Sequence, residues 1–318
     1  MEFFHEIWAY KCSVALISAF EIGIFDALIT KELTVKDLAK ITQCNPVMLG
    51  MLLNILKCYG FLEETKEGFR IPSGYISQLQ VMNGNNKILS HEKNLMNHWN
   101  IPERILTQLK GSGAKQDYIR DTFTIEEQKD YFNAMNERNL ELLFVYIRRE
   151  YPLTSETVML EYGRSLGGMS LLCKNKYQNI NCDICFDKEF EPVSIQLYGS
   201  LRNKKGIRIV SDEELMYNGY DFIFLYNSIH YYSQQELIEL LGRLYQLLRP
   251  GQILCISDIY VDEKDIFYAG VLLDWMTHGG IYQQSFQELQ NLIEHTQFQI
   301  IKSVMLKQIH NKLLFLTK

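Results

Sequence analysis

No apolar run in this 318-residue sequence is long enough to span a bilayer, because charge or glycine breaks each one. The first ten residues carry Glu2, His5 and Glu6 where a secretory leader has a basic stretch and an apolar core, so no leader is expected there. Basic charge is not in excess. Lys and Arg number 32 against 38 Asp and Glu, a net charge of −6, which leaves little to hold a polyanion. Neither nucleic acid nor membrane is therefore expected as a partner. The seven cysteines are odd in number and scattered, which suits reduced thiols in a cytoplasmic protein. Cys182 and Cys185 form a C-x-x-C, but no second pair stands at zinc-finger spacing and this one lies in a predicted strand. Both read as small apolar fillers, and no metal site is expected. Internal repeats and low-complexity tracts are also missing.

What is present is ordinary globular composition, 47% hydrophobic and 22% charged, at a length that suits two domains. We expect them at 1–150 and 151–318. In the first, residues 7–28 carry apolar side chains at helical spacing, interrupted at Gly23. Thr34 with Asp37 caps a short helix from Val35 to Thr42, and Asn45-Pro46 opens another that stops at Gly60. Phe61 to Glu64 and Phe69 to Ile71 read as two short strands about a turn. Three helices and a β-wing make a winged helix, a fold that often binds DNA through its third helix. Here that helix, Val47 to Tyr59, has one basic residue and is apolar on almost every side. It is built for burial, in its own domain or against another subunit. Residues 73–125 are less regular, with a helical pattern near Trp99 to Leu109, and a strong one runs from Ile125 to Arg149.

From Thr157 short β-rich runs alternate with helices: Val158 to Tyr162, Asn181 to Phe186, Ile207 to Val210, Asp221 to Tyr226, Gln252 to Ile259, Gln299 to Met305 and Leu313 to Thr317. The alternation predicts a Rossmann-like α/β sheet of seven strands. The last two runs are joined by only a few residues, so they must pair antiparallel, since a parallel crossover needs about a dozen. The first strand leads into Gly163, Gly167 and Gly168, which lets a ligand approach the backbone and a helix N-terminus. The second ends at Asp187, placed to accept from both hydroxyls of a ribose, and the third is followed by Asp212, placed to accept from an adenine amino group. Each acid alone reads as a surface residue. Together with a glycine loop, on the edge where open α/β sheets bind ligands, they point to an adenosine.

The fourth strand runs on into Asn227-Ser228-Ile229-His230-Tyr231-Tyr232, and after a predicted helix comes Leu248-Arg249-Pro250-Gly251-Gln252. This block resembles the S-adenosylmethionine-dependent methyltransferases of the plant-type O-methyltransferase family, which includes many bacterial small-molecule enzymes of secondary metabolism. The resemblance covers nearly the whole chain. It implies a homodimer built through the N-terminal domain, a small-molecule substrate and S-adenosyl-L-methionine as cofactor. It implies that the loop with Glu161, Gly163, Ser165 and Gly167 passes beside the methionine part, that Asp187 holds the ribose, that Asp212 and Glu213 sit by the adenine, and that Tyr226 and Asn227 line the cofactor side. His230 falls on the general base and Asp258 on an acid that orients it. Read from its spacing alone, His230 is equally a strand-end histidine satisfied by backbone. Tyr131 and Met135 match a helix over the substrate, and Trp275, Met276 and His278 match its wall; ordinary core packing is the alternative for all five. The chain departs from the family's acid-x-Gly-x-Gly-x-Gly at Ser165, flanked by Arg164 and Leu166. Tyr231 stands where plant members have Asp, and Ile281 to Gln284 where the family has Glu-Arg-Thr. The alternative function is thus a methyltransferase-like protein that has lost methyl transfer, as a partner subunit or with another reaction in the same pocket.

Overall fold

A computed structural model describes residues 3–82, 87–97, 117–260 and 285–318. The chain divides into two compact units, Met1–Asn97 and His98–Lys318.

In the first unit the expected elements form. Helix α1 (Phe3–Glu21) is separated from α2 (Ile24–Leu28) by Gly23 at φ 79°. Thr34 accepts from the Asp37 N–H to start α3 (Val35–Thr42). Asn45 accepts from the N–H groups of Val47 and Met48 to start α4 (Pro46–Cys58), with Pro46 at the position that needs no N–H. Strands β1 (Glu63–Glu64) and β2 (Phe69–Arg70) pair antiparallel as the wing. Two helices follow where the sequence shows little regularity, α5 (Ser73–Met82) and α6 (Lys87–Asn97). Leu49, Leu53 and Leu56 turn one side of α4 into a core with Phe25, Leu38 and Leu62. The other side stands in the open: Val47, Met48, Met51, Ile55 and Tyr59 are all exposed, Val47 at 72%. The helix expected near Trp99 to Leu109 lies outside the described residues.

In the second unit α7 (Tyr118–Thr122) precedes α8 (Ile125–Glu150), whose start is closed by a Thr124–Glu127 capping box. The sequence groups α8 with the N-terminal part; it packs in the second unit, where Leu140, Leu143 and Ile147 meet Met159 and Phe224. Strands β3 (Val158–Gly163), β4 (Asn181–Cys185), β5 (Ile207–Ile209), β6 (Tyr220–Tyr226), β7 (Leu248–Asp258), β8 (Gln299–Leu306) and β9 (Asn311–Thr317) form one sheet in the order β5-β4-β3-β6-β7-β9-β8. The five from β3 to β7 run parallel, and β9 runs antiparallel to both β7 and β8, as the short connection requires. Helices α9 (Gly168–Lys176) and α10 (Glu191–Tyr198) follow β3 and β4, and α11 (Gln234–Leu247) and α12 (Phe286–Ile293) complete the cover.

Period two decides which layer each side chain joins. Along β6, Phe222, Phe224 and Tyr226 face the layer with α8, while Ile223 and Leu225 face the layer with α11 and α12. The same rule settles the C-x-x-C. Cys182 and Cys185 are free, buried and on opposite faces of the sheet, and burial pushes the Cys182 thiol up to about 12. They are packing groups. Among the described residues no helix is long and apolar enough to cross a membrane.

Candidate active site

The loop after β3 is held by a buried carboxylate. Glu161 is fully enclosed; its Oε1 accepts from the Gly167 N–H at 2.8 Å and its Oε2 from the Ser170 N–H at 2.6 Å. It therefore braces the loop against the first turn of α9, where unpaired N–H groups favour an anion. Gly163 sits at φ 98°, and a Cβ there would collide with the Ser228 hydroxyl, so two independent reasons require glycine. Gly167, at φ 109°, has Leu201 and Ile184 against its bare side. Between them Ser165 is buried with its hydroxyl unpartnered among the described residues, and Leu166 is in the left-handed region at φ 54°.

Beside this loop, over the carboxyl ends of β3, β4, β5 and β6, lies a cavity of about 490 Å³. That is the place where open α/β sheets bind ligands, and the size suits a small molecule. Four expected residues line it: Gly163, Asp187, Asp212 and Glu213. The Asp187 side chain is exposed to it and has no hydrogen bond among the described residues. Asp212 is already engaged, accepting from the Tyr162 hydroxyl at 3.2 Å and pairing with Arg243 at 3.1 Å. Hydrogen bonds from its own backbone N–H and from Ser211 hold the Glu213 carboxyl below its ordinary range. Glu161, Ser165, Gly167, Tyr226 and Asn227 do not line the cavity. Tyr226 is buried and donates to the Met135 carbonyl at 2.8 Å. Asn227, at φ 42°, gives its backbone N–H to Ser257 and accepts from Asn311 at 3.4 Å.

The turn after β6 carries His230, and the end of β7 carries Asp258. They meet: His230 Nδ1 is 3.2 Å from Asp258 Oδ1, with both residues buried. Asp258 also accepts from the backbone N–H groups of Ile229 at 3.1 Å and Ile259 at 2.8 Å. A carboxylate is acceptor-only, so Nδ1 faces it as a donor and the lone pair of the neutral ring falls on Nε2. His230 does not itself line the cavity; its neighbours Ser228, Tyr231 and Tyr232 do, and its ring lies 4.3 Å from that of Tyr231.

Tyr131, on α8, hydrogen-bonds Tyr231, and burial pushes its phenol well above the ordinary range. Met135 contributes its carbonyl to Tyr226, while the next residue, Asn136, donates to the carbonyl of Arg164 at 3.3 Å. The sequence does not single out Arg164 as a site residue. Its guanidinium is 9% exposed, paired with Asp117, and stacked over the rings of Tyr231 at 4.1 Å and Phe190 at 4.7 Å. Its signal in the sequence is an arginine in a glycine turn; nothing there points to Asp117. Trp275, Met276 and His278 lie outside the described residues.

Residues 4–76 match the family model of the O-methyltransferase dimerisation domain. No curated protein is matched by the sequence. Among solved structures, mitomycin 7-O-methyltransferase MmcR superposes at a TM-score of 0.74 and 14% identity, over 99% of this chain and 96% of that one. PigF, solved with SAH, does so at 0.71 and 15%, over 99% and 98%. Human N-acetylserotonin methyltransferase, solved with SAM, gives 0.66 and 14%, over 100% and 98%. At these identities the likeness is one of fold.

Proposed function

We propose, from the premise that this chain has the plant-type O-methyltransferase fold and carries that family's dimerisation domain at residues 4–76, that it methylates a hydroxyl or phenolic oxygen of a small molecule with S-adenosylmethionine as donor. The observation that carries this reading is the juxtaposition of two things. A strand-end cavity lined by Gly163, Asp187 and Asp212 adjoins a turn on which His230 is held by Asp258. The residues fit the cofactor: Asp187 offers an unengaged carboxylate for a ribose diol, Asp212 and Glu213 offer acceptors for an adenine amino group, and glycine at 163 keeps the wall clear. When bound, S-adenosylmethionine supplies a methyl already made electrophilic by its sulfonium. The chain need only align the acceptor oxygen, exclude water and remove a proton. His230 Nε2 takes that proton as attack proceeds, and Asp258 stabilises the imidazolium through Nδ1–H. Three hydrogen bonds to Asp258 hold the pair in one geometry.

Tyr131 and Met135 would close the acceptor side from α8, and Trp275, Met276 and His278 would complete its wall. The exposed face of α4 would be covered in a homodimer, since a row of apolar side chains on a dimerisation domain marks an association surface. The family likeness suits an enzyme of secondary metabolism, and the scattered cysteines suit a cytoplasmic one.

One observation favours a second reading, a relative without methyl transfer: Arg164 places a cation in the cavity wall, which opposes a sulfonium ligand. Calorimetry with S-adenosylmethionine and S-adenosylhomocysteine, followed by transfer assays on phenolic acceptors, separates the two. On the first reading His230→Ala keeps cofactor binding and loses transfer by about 10²–10⁴-fold. Heat on binding without transfer to any acceptor supports the second, and no binding of either ligand at millimolar concentration sinks the first.

A further inference from the structure

Arg164 keeps a buried guanidinium nitrogen without a partner among the described residues. Nη2 pairs with Asp117, and the guanidinium lies over the rings of Tyr231 and Phe190. Nη1 is buried and has no hydrogen-bond partner among the described residues. A buried guanidinium N–H left unsatisfied is costly, and the cost is recovered only when an acceptor arrives. Arg164 lines the cavity at its β3 end, whereas acids predominate at the ends of β4 and β5, where Asp187, Glu189, Asp212 and Glu213 line it with the cation Lys188. A zwitterionic ligand is matched by that polarity: neutral or donor groups toward the acids, an anion toward the arginine. Asp117 is buried and also caps α7 by accepting from the Arg120 N–H, so the guanidinium is held in place from outside the loop. A guanidinium so fixed suits a carboxylate or phosphate oxygen.

We propose that Arg164 is the anion-recognition residue of this cavity, and that its free Nη1–H takes an anionic group on the 5′ side of a bound adenosine, the carboxylate of the cofactor's aminocarboxypropyl arm. This rests on the adenosine-binding reading above and names the part of the ligand that the chain selects.

The test is calorimetry with four ligands on the full chain: adenosine, 5′-methylthioadenosine, S-adenosylhomocysteine and adenosine 5′-monophosphate. The second and third share the nucleoside thioether and differ in the charged arm. In the unaltered protein S-adenosylhomocysteine should bind about ten-fold or more tighter than 5′-methylthioadenosine, the size expected of one charge-assisted hydrogen bond. In Arg164→Gln that ratio should fall to near one, with 5′-methylthioadenosine little changed. Asp117→Asn, which leaves the guanidinium in place and uncompensated, should keep or raise the ratio. Because Arg164→Gln leaves Asp117 buried and unpaired, the double variant Arg164→Gln/Asp117→Asn is measured beside it, with thermal melts of each. A ratio unmoved by Arg164→Gln and by the double variant overturns the proposal. A preference for the 5′-monophosphate over adenosine that is lost in Arg164→Gln, without one for S-adenosylhomocysteine, overturns the carboxylate and makes the anion a phosphate. If none of the four binds, the adenosine reading fails first.

Discussion

His91, buried on α6, has its imidazole pushed down to about 4 by burial. The unfolded chain takes up a proton at this ring near the ordinary pKa of 6.5, and the folded one does not until about 4. Stability is therefore complete above pH 6.5 and is lost as the pH falls from 6.5 toward 4, by up to roughly 3 kcal/mol. Urea midpoints between pH 7 and 4 check this; in His91→Phe the slope over that window should flatten. Ser165 makes a second residue-scale case. Its buried hydroxyl has no partner among the described residues, so Ser165→Ala should raise stability by about 1 kcal/mol. Gly163→Ala should lower it by about 1–3 kcal/mol, through a left-handed φ and a collision with Ser228, and weaken S-adenosylhomocysteine binding. These residues differ in how legible they are. Asp187 and Asp212 could be found because strand ends are readable from pattern and the ligand edge follows. The resemblance puts Glu161 beside the methionine part, and in the fold it holds the loop's own N–H groups; an acid beside a glycine loop looks the same in either role. The Arg164–Asp117 pair joins positions 47 apart in the chain, and no spacing rule reaches across that distance.

At the scale of elements, α4 is the clearest case. In sequence it is apolar almost all round, which left burial within the domain and burial against a subunit equally open. The fold divides the helix: Leu49, Leu53 and Leu56 are buried, and the opposite side is exposed. Charge placed on that exposed side, as in Met51→Glu with Ile55→Glu, should yield a monomer by light scattering with an unchanged circular dichroism spectrum. Failure to dissociate a dimer would remove α4 from the interface. Helices α1 to α4 and α8 were legible because caps and glycines punctuate them. α5 and α6 were not, because the chain between them, Asn83 to Asn86, has loop composition. α10 was missed for a related reason, as it follows Asp187 through a short 3₁₀ turn with Pro192 just inside it.

For the whole molecule, the sheet explains why the architecture was easier to read than the site. Each strand carries its own β-rich run and the last pair its own short connection, so the strands and their directions are mostly local information, while their order in the sheet is not. The site is assembled from the ends of different strands and from α8, and only the folded backbone brings those ends together. The order also exposes a dependence. Strand β9 lies between β7 and β8 and supplies every pairing that β8 makes. A chain ending at Lys307 should therefore fail to protect β6 and β7 from amide exchange, beyond losing β8 itself.

That arrangement bears on how the protein is born. A ribosome makes β8 before β9, its one strand partner among the described residues, and the flank of β7 that β9 covers stays bare until β9 emerges. Synthesis of β9, not the appearance of any earlier segment, thus gates closure of this half of the sheet. Products that stop before β9 would present Cys255 and Ile256 along an open, sticky edge, and quality-control chaperones should hold them far longer than chains that include β9.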